Sequence, residues 1–323
     1  MKNVYFSGIS NIGDELNRYI WPAVLGSVME EDDRAALLGV GTLLSEDFNR
    51  RTADCDKVLV FGSGAGYGRA PAFDARWHFA CVRGRHTSRL LGLDDDLAVA
   101  DAAYLLATLD WSRQADTSAG VVVIPHHSTL GYVDWAHLCA EAGLTFLSPT
   151  LPASEFFQRL TGARLVLAEA MHGAILADVC RIPWVPFRYG QDFLEWKWLD
   201  WTEMFDLKVE IAAAEAFYDP RLHWTNRGRA FHLGRQFKRL AVDRGLGRAK
   251  WKKIVPPGDS QGAAGARMVG FLEGLARQEG YLSSDHILSS RVDELYARLN
   301  SLAQRHLQQD AEPLAGPARA LFG

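Results

Sequence analysis

The sequence predicts an α/β protein built on parallel sheets, and three observations support this prediction. Short apolar runs recur through residues 1–190 and are separated by helix-length segments, which is typical of β-α-β units. Several runs lack alternation of polar and apolar residues, as expected for strands covered on both faces. With 48% hydrophobic and 23% charged residues over 323 positions, the composition is that of a globular chain. It excludes a disordered, collagen-like or disulfide-stapled chain.

Eight apolar runs are predicted to form strands. They occupy residues 4–9, 36–44, 57–61, 79–82, 121–125, 145–147, 165–167 and 184–187. A polar stretch at 110–120 separates the first four from the last four. We therefore expect one domain over residues 1–115 and a second over 116–222.

From about residue 222 the pattern becomes helical, which predicts a basic helical C-terminal extension over residues 223–323. In this extension an apolar stripe recurs at steps of four and three residues, formed by Leu288, Val292, Leu295, Leu299 and Leu302. Such a stripe can pack against the α/β part of the same chain, or it can form the interface of a dimer. We favour packing within the chain.

Charge is distributed unevenly along the chain. The formal net charge is −4, yet residues 221–253 contain eleven basic residues and one acid. A solvated face and an anionic membrane surface both remain open for this segment. The interleaved Trp224, Phe231, Phe237 and Trp251 suit a lipid headgroup interface. No recognisable nucleic-acid module accompanies the segment, so we expect no nucleic-acid partner.

The sequence also indicates a cytoplasmic setting. No apolar run reaches the roughly 20 residues that a membrane-spanning helix needs, and the N-terminal residues show no signal-peptide hydrophobic region. The four cysteines have no C-x-x-C spacing, which argues against a zinc ribbon or a redox motif and favours a reduced compartment.

Polar residues and glycines follow the strands predicted in the first domain. Asn11, Asp14 and Asn17 lie at a predicted helix start, at the sheet edge where α/β proteins bind ligands, although Asp14 also suits helix capping. The glycine-rich loop that begins Gly62-Ser63-Gly64 allows close approach to an anion, with a tight turn as the alternative. Arg83 could hold a phosphate or carboxylate, or form a surface salt bridge.

The second half carries the most informative motif, Glu169-Ala170-Met171-His172-Gly173, directly after a predicted strand. His172 would lie at a helix start, which suits a general acid or base, while Glu169 would orient His172 or bind a sugar hydroxyl. His126 fits a structural role as well as a functional one, and no residues at ligand spacing indicate a metal.

A tryptophan-rich segment follows this motif. Lys197 lies between Trp196 and Trp198, an arrangement that suits a sugar stacked on an aromatic ring beside an anionic donor. Alternatively, these tryptophans pack in the hydrophobic core and do not contact a sugar.

Together these motifs resemble the polysaccharide pyruvyl transferase family, most closely the branch that adds pyruvate ketals to bacterial exopolysaccharides such as xanthan and succinoglycan. The resemblance covers residues 3–205. One departure is Gly84, where many members have an acid after the arginine. The matching residues are Asn11-x-Gly13-Asp14-Glu15-Leu16-Asn17, Phe61-Gly62-Ser63-Gly64, Val82-Arg83-Gly84, Asp101, Pro125-His126, Glu169-Ala170-Met171-His172-Gly173-Ala174 and Lys197-Trp198.

The resemblance implies two Rossmann-like domains that face a cleft, as in GT-B glycosyltransferases. It implies phosphoenolpyruvate as the donor substrate, no cofactor, and a lipid-linked acceptor at the cytoplasmic face of the inner membrane. By this analogy His172 is catalytic with Glu169 beside it, and Arg83 and Lys197 hold the donor. We expect further donor contacts from Gly62, Ser63, Gly64 and His126, and acceptor contacts from Asn11, Asp14, Asn17, Trp196 and Trp198.

Two other functions stay open at this point. The first is a GT-B glycosyltransferase that uses a nucleotide sugar, but Ala177 occupies the second acidic position of the Glu-x7-Glu pattern counted from Glu169. The second is a catalytically inactive binding protein. The full set of polar residues at the strand ends argues against this alternative.

Overall fold

The computed structural model describes residues 1–8, 11–26, 29, 34–66, 68–109, 120–189, 193–248 and 254–307, without the side chains of 223–228 and 307. Within these ranges the chain forms two parallel sheets flanked by helices. The first sheet has the order β1 (Lys2–Asn3), β2 (Ala35–Leu38), β3 (Lys57–Ser63), β4 (Trp77–Val82). The second comprises β5 (Gly120–Ile124), β6 (Thr145–Phe146), β7 (Ala163–Ala168), β8 (Trp184–Arg188) and β9 (Ala212–Ala213), in the order β6-β5-β7-β8-β9.

The predicted α/β class is confirmed, and seven of the eight predicted runs overlap strands β2 to β8. The first strand differs from the prediction, because the chain pairs in the sheet only as far as Val4. The Val4 N–H donates to the Leu37 carbonyl oxygen at 3.0 Å, and the chain then leaves the sheet toward the first helix. Strand β9 escaped prediction because it is only two residues long and alanine has a low preference for strands.

Helices cover the sheets and continue to the end of the described chain. Four of them follow strands of the first sheet or connect them: α1 (Ile12–Glu15), α2 (Asn17–Leu25), α3 (Glu46–Arg51) and α4 (Arg85–Leu91). The next four belong to the second half of the chain: α5 (Trp135–Glu141), α6 (Ala153–Leu160), α7 (Met171–Val179) and α8 (Glu195–Thr202). The C-terminal helices are α9 (Pro220–Asp243), α10 (Ala263–Leu275) and α11 (Asp285–Leu307). Short 3-10 helices include Ala102–Thr108 and His127–Thr129.

One hydrophobic core joins the two sheets. It contains Leu37 and Val60 from the first sheet together with Ile124 and Val166 from the second, all buried. Helix α7 packs against α1 and against the 3-10 helix Ala102–Thr108, and α8 packs against α4. Both halves of the chain therefore contribute to the same buried layer.

The C-terminal helices extend this packing. Helix α11 lies against β4 and the 3-10 helix Ala102–Thr108, and it buries Leu288, Leu295, Leu299 and Leu302 in the shared core. The packing interpretation of the predicted stripe is thus confirmed. Helix α10 packs on α5 at the other face of the second sheet. Trp224 and Trp251, which we expected at a headgroup interface, fall outside the described side chains.

No helix in the described ranges combines the length and the apolar character needed to cross a bilayer.

Candidate active site

A cavity of about 580 Å³ lies where strands of both sheets end. Its walls come from segments that follow β1, β2 and β3 in the first half and β5, β6, β7 and β8 in the second. Seven of the predicted site residues line it: Asn11, Asp14, His126, Glu169, His172, Lys197 and Trp198. The carboxyl ends of parallel strands are the usual place for ligands in α/β proteins, so this cavity is the candidate active site.

His172 lies at the start of α7 and faces a carboxylate from the other half of the chain. Its Nε2 is 3.6 Å from Oδ2 of Asp101, which precedes the 3-10 helix Ala102–Thr108. Both atoms are buried, and neither makes a hydrogen bond within the described part of the chain. The other oxygen of Asp101 accepts a hydrogen bond from the Ala103 N–H at 3.0 Å. Asp101 is therefore held in place with one oxygen directed at the imidazole.

The other side of the His172 ring lies against the backbone of α1. A methyl group placed on Gly13 would come within 2.2 Å of His172 Nδ1, which is far inside contact distance. Gly13 therefore leaves the space that the imidazole occupies, and this explains a glycine in the first helix of the chain despite its cost in a helix interior.

Glu169 holds together three strand ends. Its Oε2 accepts hydrogen bonds from the His126 N–H at 2.8 Å and from the Thr129 hydroxyl at 2.6 Å. Its Oε1 accepts a hydrogen bond from the Tyr189 N–H at 3.3 Å. The carboxylate thus fixes the segment 126–129 that lines the cavity and connects the ends of β5, β7 and β8.

Two histidines on that segment pack against each other beside the cavity, with their rings tilted by 39°. The rings of His126 and His127 are 4.1 Å apart between centroids. Burial lowers the pKa of His126 to about 3, helped by the nearby charges of His127, Lys197 and His172. His126 Nδ1 accepts a hydrogen bond from the Ser128 N–H at 3.3 Å and lies 2.7 Å from the Ser128 hydroxyl, which favours the neutral tautomer with its proton on Nε2. His126 can therefore donate a hydrogen bond without carrying a charge.

Lys197 brings a cation to the cavity from helix α8. Burial lowers the pKa of its ammonium to about 7, and the charge of Arg83 adds to this effect. Asp14, Asp101 and Asp200 act in the opposite direction. Lys197 is therefore poised to change protonation near neutral pH, and a bound anion would favour the charged form.

Asn11 and Asp14 form the first-half wall of the cavity. Asn11 caps α1, because its side chain accepts a hydrogen bond from the Asp14 N–H at 3.2 Å, and its amide donates to the Asp14 carboxylate. Burial raises the pKa of Asp14, partly offset by Asn11 and by the charges of His172 and Lys197. The capping role that we considered for Asp14 falls to Asn11, and Asp14 faces the cavity.

The structure places Arg83 behind the cavity wall. Its side chain is completely buried, and its Nε donates a hydrogen bond to Asp200 Oδ2 at 3.0 Å. A second donor, Nη1, reaches the hydroxyl of Thr42 at 3.3 Å, and Thr42 itself lines the cavity. A direct donor contact of Arg83 remains a prediction.

The glycine-rich loop also lies behind the wall up to Gly64. Gly62 has a φ of 67° and packs against the backbone of Ala102, so a side chain there would clash. A methyl group on Gly64 would meet the Arg83 guanidinium at 2.2 Å. The Ser63 hydroxyl donates to the Gly41 carbonyl oxygen at 3.2 Å, which ties the end of β3 to the segment after β2.

The remaining predicted acceptor residues lie in different places. Asn17 is buried, and its side chain bonds to both backbone groups of Val40 at 2.9 Å. Trp198 lines the cavity with its ring stacked 5.6 Å from that of Phe193. Trp196 lines a separate cavity of about 430 Å³ beside Gly66.

Sequence reasoning missed several residues of the wall. His127, Thr42 and Thr129 line the cavity, and none of them was predicted there. The His126-His127 pair was the available signal for His127. Asp101 was noted only as part of the resemblance, because its pairing with His172 spans 71 positions and no local pattern shows it.

Within the described ranges, no group of three or more His, Cys, Asp and Glu side chains is arranged to hold a metal ion. The absence of a cofactor remains an expectation.

The chain is similar to known proteins over part of its length. Residues 56–191 match the model of the polysaccharide pyruvyl transferase family. The chain is 31% identical over 206 residues to the succinoglycan biosynthesis protein ExoV of Rhizobium meliloti (strain 1021). That match covers 63% of this chain and 64% of the relative, so the chain spans about two thirds of the length of the curated protein that it resembles. No solved structure matches significantly.

Proposed function

We propose that the chain transfers the pyruvyl group of phosphoenolpyruvate to a sugar of an exopolysaccharide repeat unit, as a cyclic ketal, because residues 56–191 match the model of the polysaccharide pyruvyl transferase family. The observation that carries the proposal is the convergence of Lys197, His126 and His172 on one cavity built by both halves of the chain. Phosphoenolpyruvate bears a phosphate and a carboxylate, and such groups need a cation and hydrogen-bond donors within a walled site.

The reaction requires controlled movement of protons. A proton adds to the methylene carbon of phosphoenolpyruvate, which leaves an oxocarbenium-like carbon that a first sugar hydroxyl attacks. The carbon–oxygen bond to phosphate then breaks, and a second hydroxyl closes the ketal. One hydroxyl proton accounts for the new methyl hydrogen and the other leaves with inorganic phosphate.

We assign the proton transfer to His172. Its Nε2 is buried against Asp101, and we propose that Nδ1, at the edge of the ring beside Gly13, is the nitrogen that exchanges a proton with the substrate. An Nε2–H directed at the Asp101 carboxylate leaves Nδ1 free to take or give a proton, which is the arrangement that a general acid–base histidine needs. Asp101 is a positioning residue in this scheme.

Lys197 and His126 are assigned to the donor. The ammonium of Lys197 pairs with an anionic group, and the neutral His126 donates from Nε2 to a second oxygen. Arg83 contacts the cavity wall through its hydrogen bond to Thr42. The predicted direct contact of Arg83 with phosphoenolpyruvate is part of the proposal, as are those of Gly62, Ser63 and Gly64. Asn11, Asp14 and Trp198 are assigned to the acceptor sugar. Asn17 and Trp196 do not line the cavity, so their predicted contacts with the acceptor require a longer acceptor or a change in the cavity wall.

The acceptor is proposed to be a lipid-linked repeat unit at the cytoplasmic face of the inner membrane. In this scheme the two sheets correspond to the paired domains of a GT-B arrangement, and the cavity is the substrate cleft. The relative is a succinoglycan biosynthesis protein, which supports a polysaccharide as the acceptor.

Calorimetric titration with phosphoenolpyruvate, and in parallel with nucleotide diphosphate sugars, tests the donor. We expect saturable binding of phosphoenolpyruvate that is lost in Lys197→Gln and kept in Lys208→Gln, since Lys208 is exposed and lies away from the cavity. Binding of nucleotide sugars alone would favour the glycosyltransferase alternative.

Release of phosphate from phosphoenolpyruvate, in the presence of an extract that contains the acceptor, tests the role of His172. The His172→Ala variant is compared with His286→Ala, which changes an exposed histidine and serves as the control. Undiminished release in His172→Ala would remove its assigned role.

A further inference from the structure

Helix α9 exposes a stripe of large apolar side chains. Among the described residues five large apolar side chains are exposed, and four of them lie on α9 or directly after it. They are Leu233, Phe237, Leu240 and Leu246, exposed by 65%, 68%, 47% and 75%. Monomeric soluble proteins scatter such residues singly, so a cluster on one element indicates a contact surface.

The stripe is not the packing face of the helix. Leu233, Phe237 and Leu240 follow one another at steps of four and three residues and so share one face. The inward face is supplied by other residues. His232 is buried, and the Arg235 guanidinium lies 4.4 Å from the ring centroid of Tyr218. The helix is already docked on the protein by these contacts, and the apolar stripe is left on the outside.

The basic residues of the segment 221–253 fall into two groups in the structure. Arg221 pairs with Asp219 and Asp259, and Arg239 pairs with Asp243 at 3.2 Å while donating to the Ile254 carbonyl oxygen. These charges are directed at the protein. Four other basic side chains are exposed around the stripe: Arg229, Lys238, Arg244 and Arg248. The outer surface thus combines apolar side chains with positive charge.

We propose that this surface, formed by Leu233, Phe237, Leu240 and Leu246 with the four exposed basic residues, docks on an anionic lipid bilayer. Leucine and phenylalanine insert at the boundary of headgroups and acyl chains, while lysine and arginine pair with anionic headgroups. Nucleic acid would use the charges but not the exposed leucines. A second copy of the chain would bring like charges face to face.

The location of the surface suits a lipid-linked acceptor, and this step rests on the proposed function. Arg235 also stacks on Tyr132, at 5.3 Å from its ring centroid, and the Asp219 N–H donates to the Tyr132 carbonyl oxygen at 2.6 Å. Tyr132 lies three residues after the segment 126–129 that lines the cavity. The docked helix therefore holds the cavity wall close to the headgroup layer, where the sugar of a lipid-linked acceptor lies.

Sedimentation of the full chain with vesicles tests the surface. We expect binding to vesicles that contain phosphatidylglycerol, weaker binding in high salt, and little binding to pure phosphatidylcholine. The double variant Arg229→Gln/Arg244→Gln should weaken binding about 30-fold, since each basic residue near an anionic surface contributes about a fivefold effect. Leu233→Gln/Phe237→Gln should weaken binding at least tenfold. Exposed Leu90→Gln and Arg277→Gln, which lie elsewhere, should bind like the wild type.

Equal binding to both vesicle types, no vesicle binding, or full binding by the Leu233→Gln/Phe237→Gln variant would overturn the proposal. So would salt-sensitive binding of an oligonucleotide without vesicle binding, or a dimer in ultracentrifugation that the stripe variant abolishes. Phosphoenolpyruvate calorimetry on the same variants gives a separate readout. Normal donor binding without vesicle binding would overturn only the docking surface, whereas vesicle binding without donor binding would overturn the proposed function and keep the surface.

Discussion

Lys197 and His126 face the same cavity, and burial moves both of their pKa values downward, but with different consequences. The pKa of His126 falls to about 3, so its ring stays neutral throughout the physiological range. The pKa of Lys197 falls only to about 7, so its charge depends on pH and on what is bound. The wall thus presents a permanent neutral donor beside a cation that an anionic ligand can stabilise.

The first prediction concerns the pH dependence of donor binding. In the proposed assignment the ammonium form of Lys197 holds the donor, and this form is lost as pH rises through about 7. The affinity for phosphoenolpyruvate should therefore fall roughly tenfold per pH unit well above that value. Calorimetry at several pH values measures this, and buffers of different ionisation enthalpy should reveal proton uptake on binding. Lys197→Arg, whose guanidinium stays charged above pH 7, separates this effect from ionisation of the donor itself. A pH-independent affinity in the wild type would contradict the assignment.

The second prediction concerns Asp101. Asparagine at this position keeps an oxygen for the Ala103 N–H and removes the negative charge beside His172. We expect Asp101→Asn to lower kcat by the order of 10² while donor affinity stays within a few-fold. A variant with wild-type kcat, or one in which kcat and donor affinity fall together, would show that Asp101 is only structural.

At the scale of elements, the site depends on how closely α1 approaches α7. Gly13 in α1 lies against the ring of His172 at the start of α7, with no room for a side chain. Gly13→Ala should therefore displace the imidazole and lower turnover at least tenfold, with KM for phosphoenolpyruvate less affected. Gly131→Ala is the control, since nothing lies within 4 Å of a side chain there. Equal loss of activity in both variants would contradict the steric explanation.

The elements themselves were largely predictable from the sequence, and the partners of the site residues were not. Buried parallel strands such as β3 and β7 produce continuous apolar runs, which local patterns detect. Arg83 pairs with Asp200, which is 117 positions away in the sequence. No local pattern could therefore show whether Arg83 is buried in an ion pair or exposed to bind phosphoenolpyruvate. The same holds for Glu169, whose location was predicted but whose hydrogen bonds from the Thr129 hydroxyl and the Tyr189 N–H depend on three strand ends meeting.

At the scale of the molecule, the cavity exists because two sheets are held in one arrangement. Asp178 of α7 is central to this. Its carboxylate accepts hydrogen bonds from the Tyr104 hydroxyl at 2.9 Å, the Ser283 N–H at 2.8 Å and the Trp184 indole at 3.3 Å. These donors belong to the first half, the segment before α11, and β8. One buried carboxylate therefore links the first half, the second sheet and the C-terminal region.

The last prediction is that the halves unfold together. Since the shared core and Asp178 join them, circular dichroism and tryptophan fluorescence should report one coincident transition in urea. Asp178→Ala leaves several buried donors without an acceptor and should lower the free energy of unfolding by about 3–5 kcal/mol. Exposed Asp293→Ala, the control, should stay within about 0.5 kcal/mol of the wild type. Two separate transitions, with only one displaced in Asp178→Ala, would show that the halves fold independently and that the cavity forms by their docking.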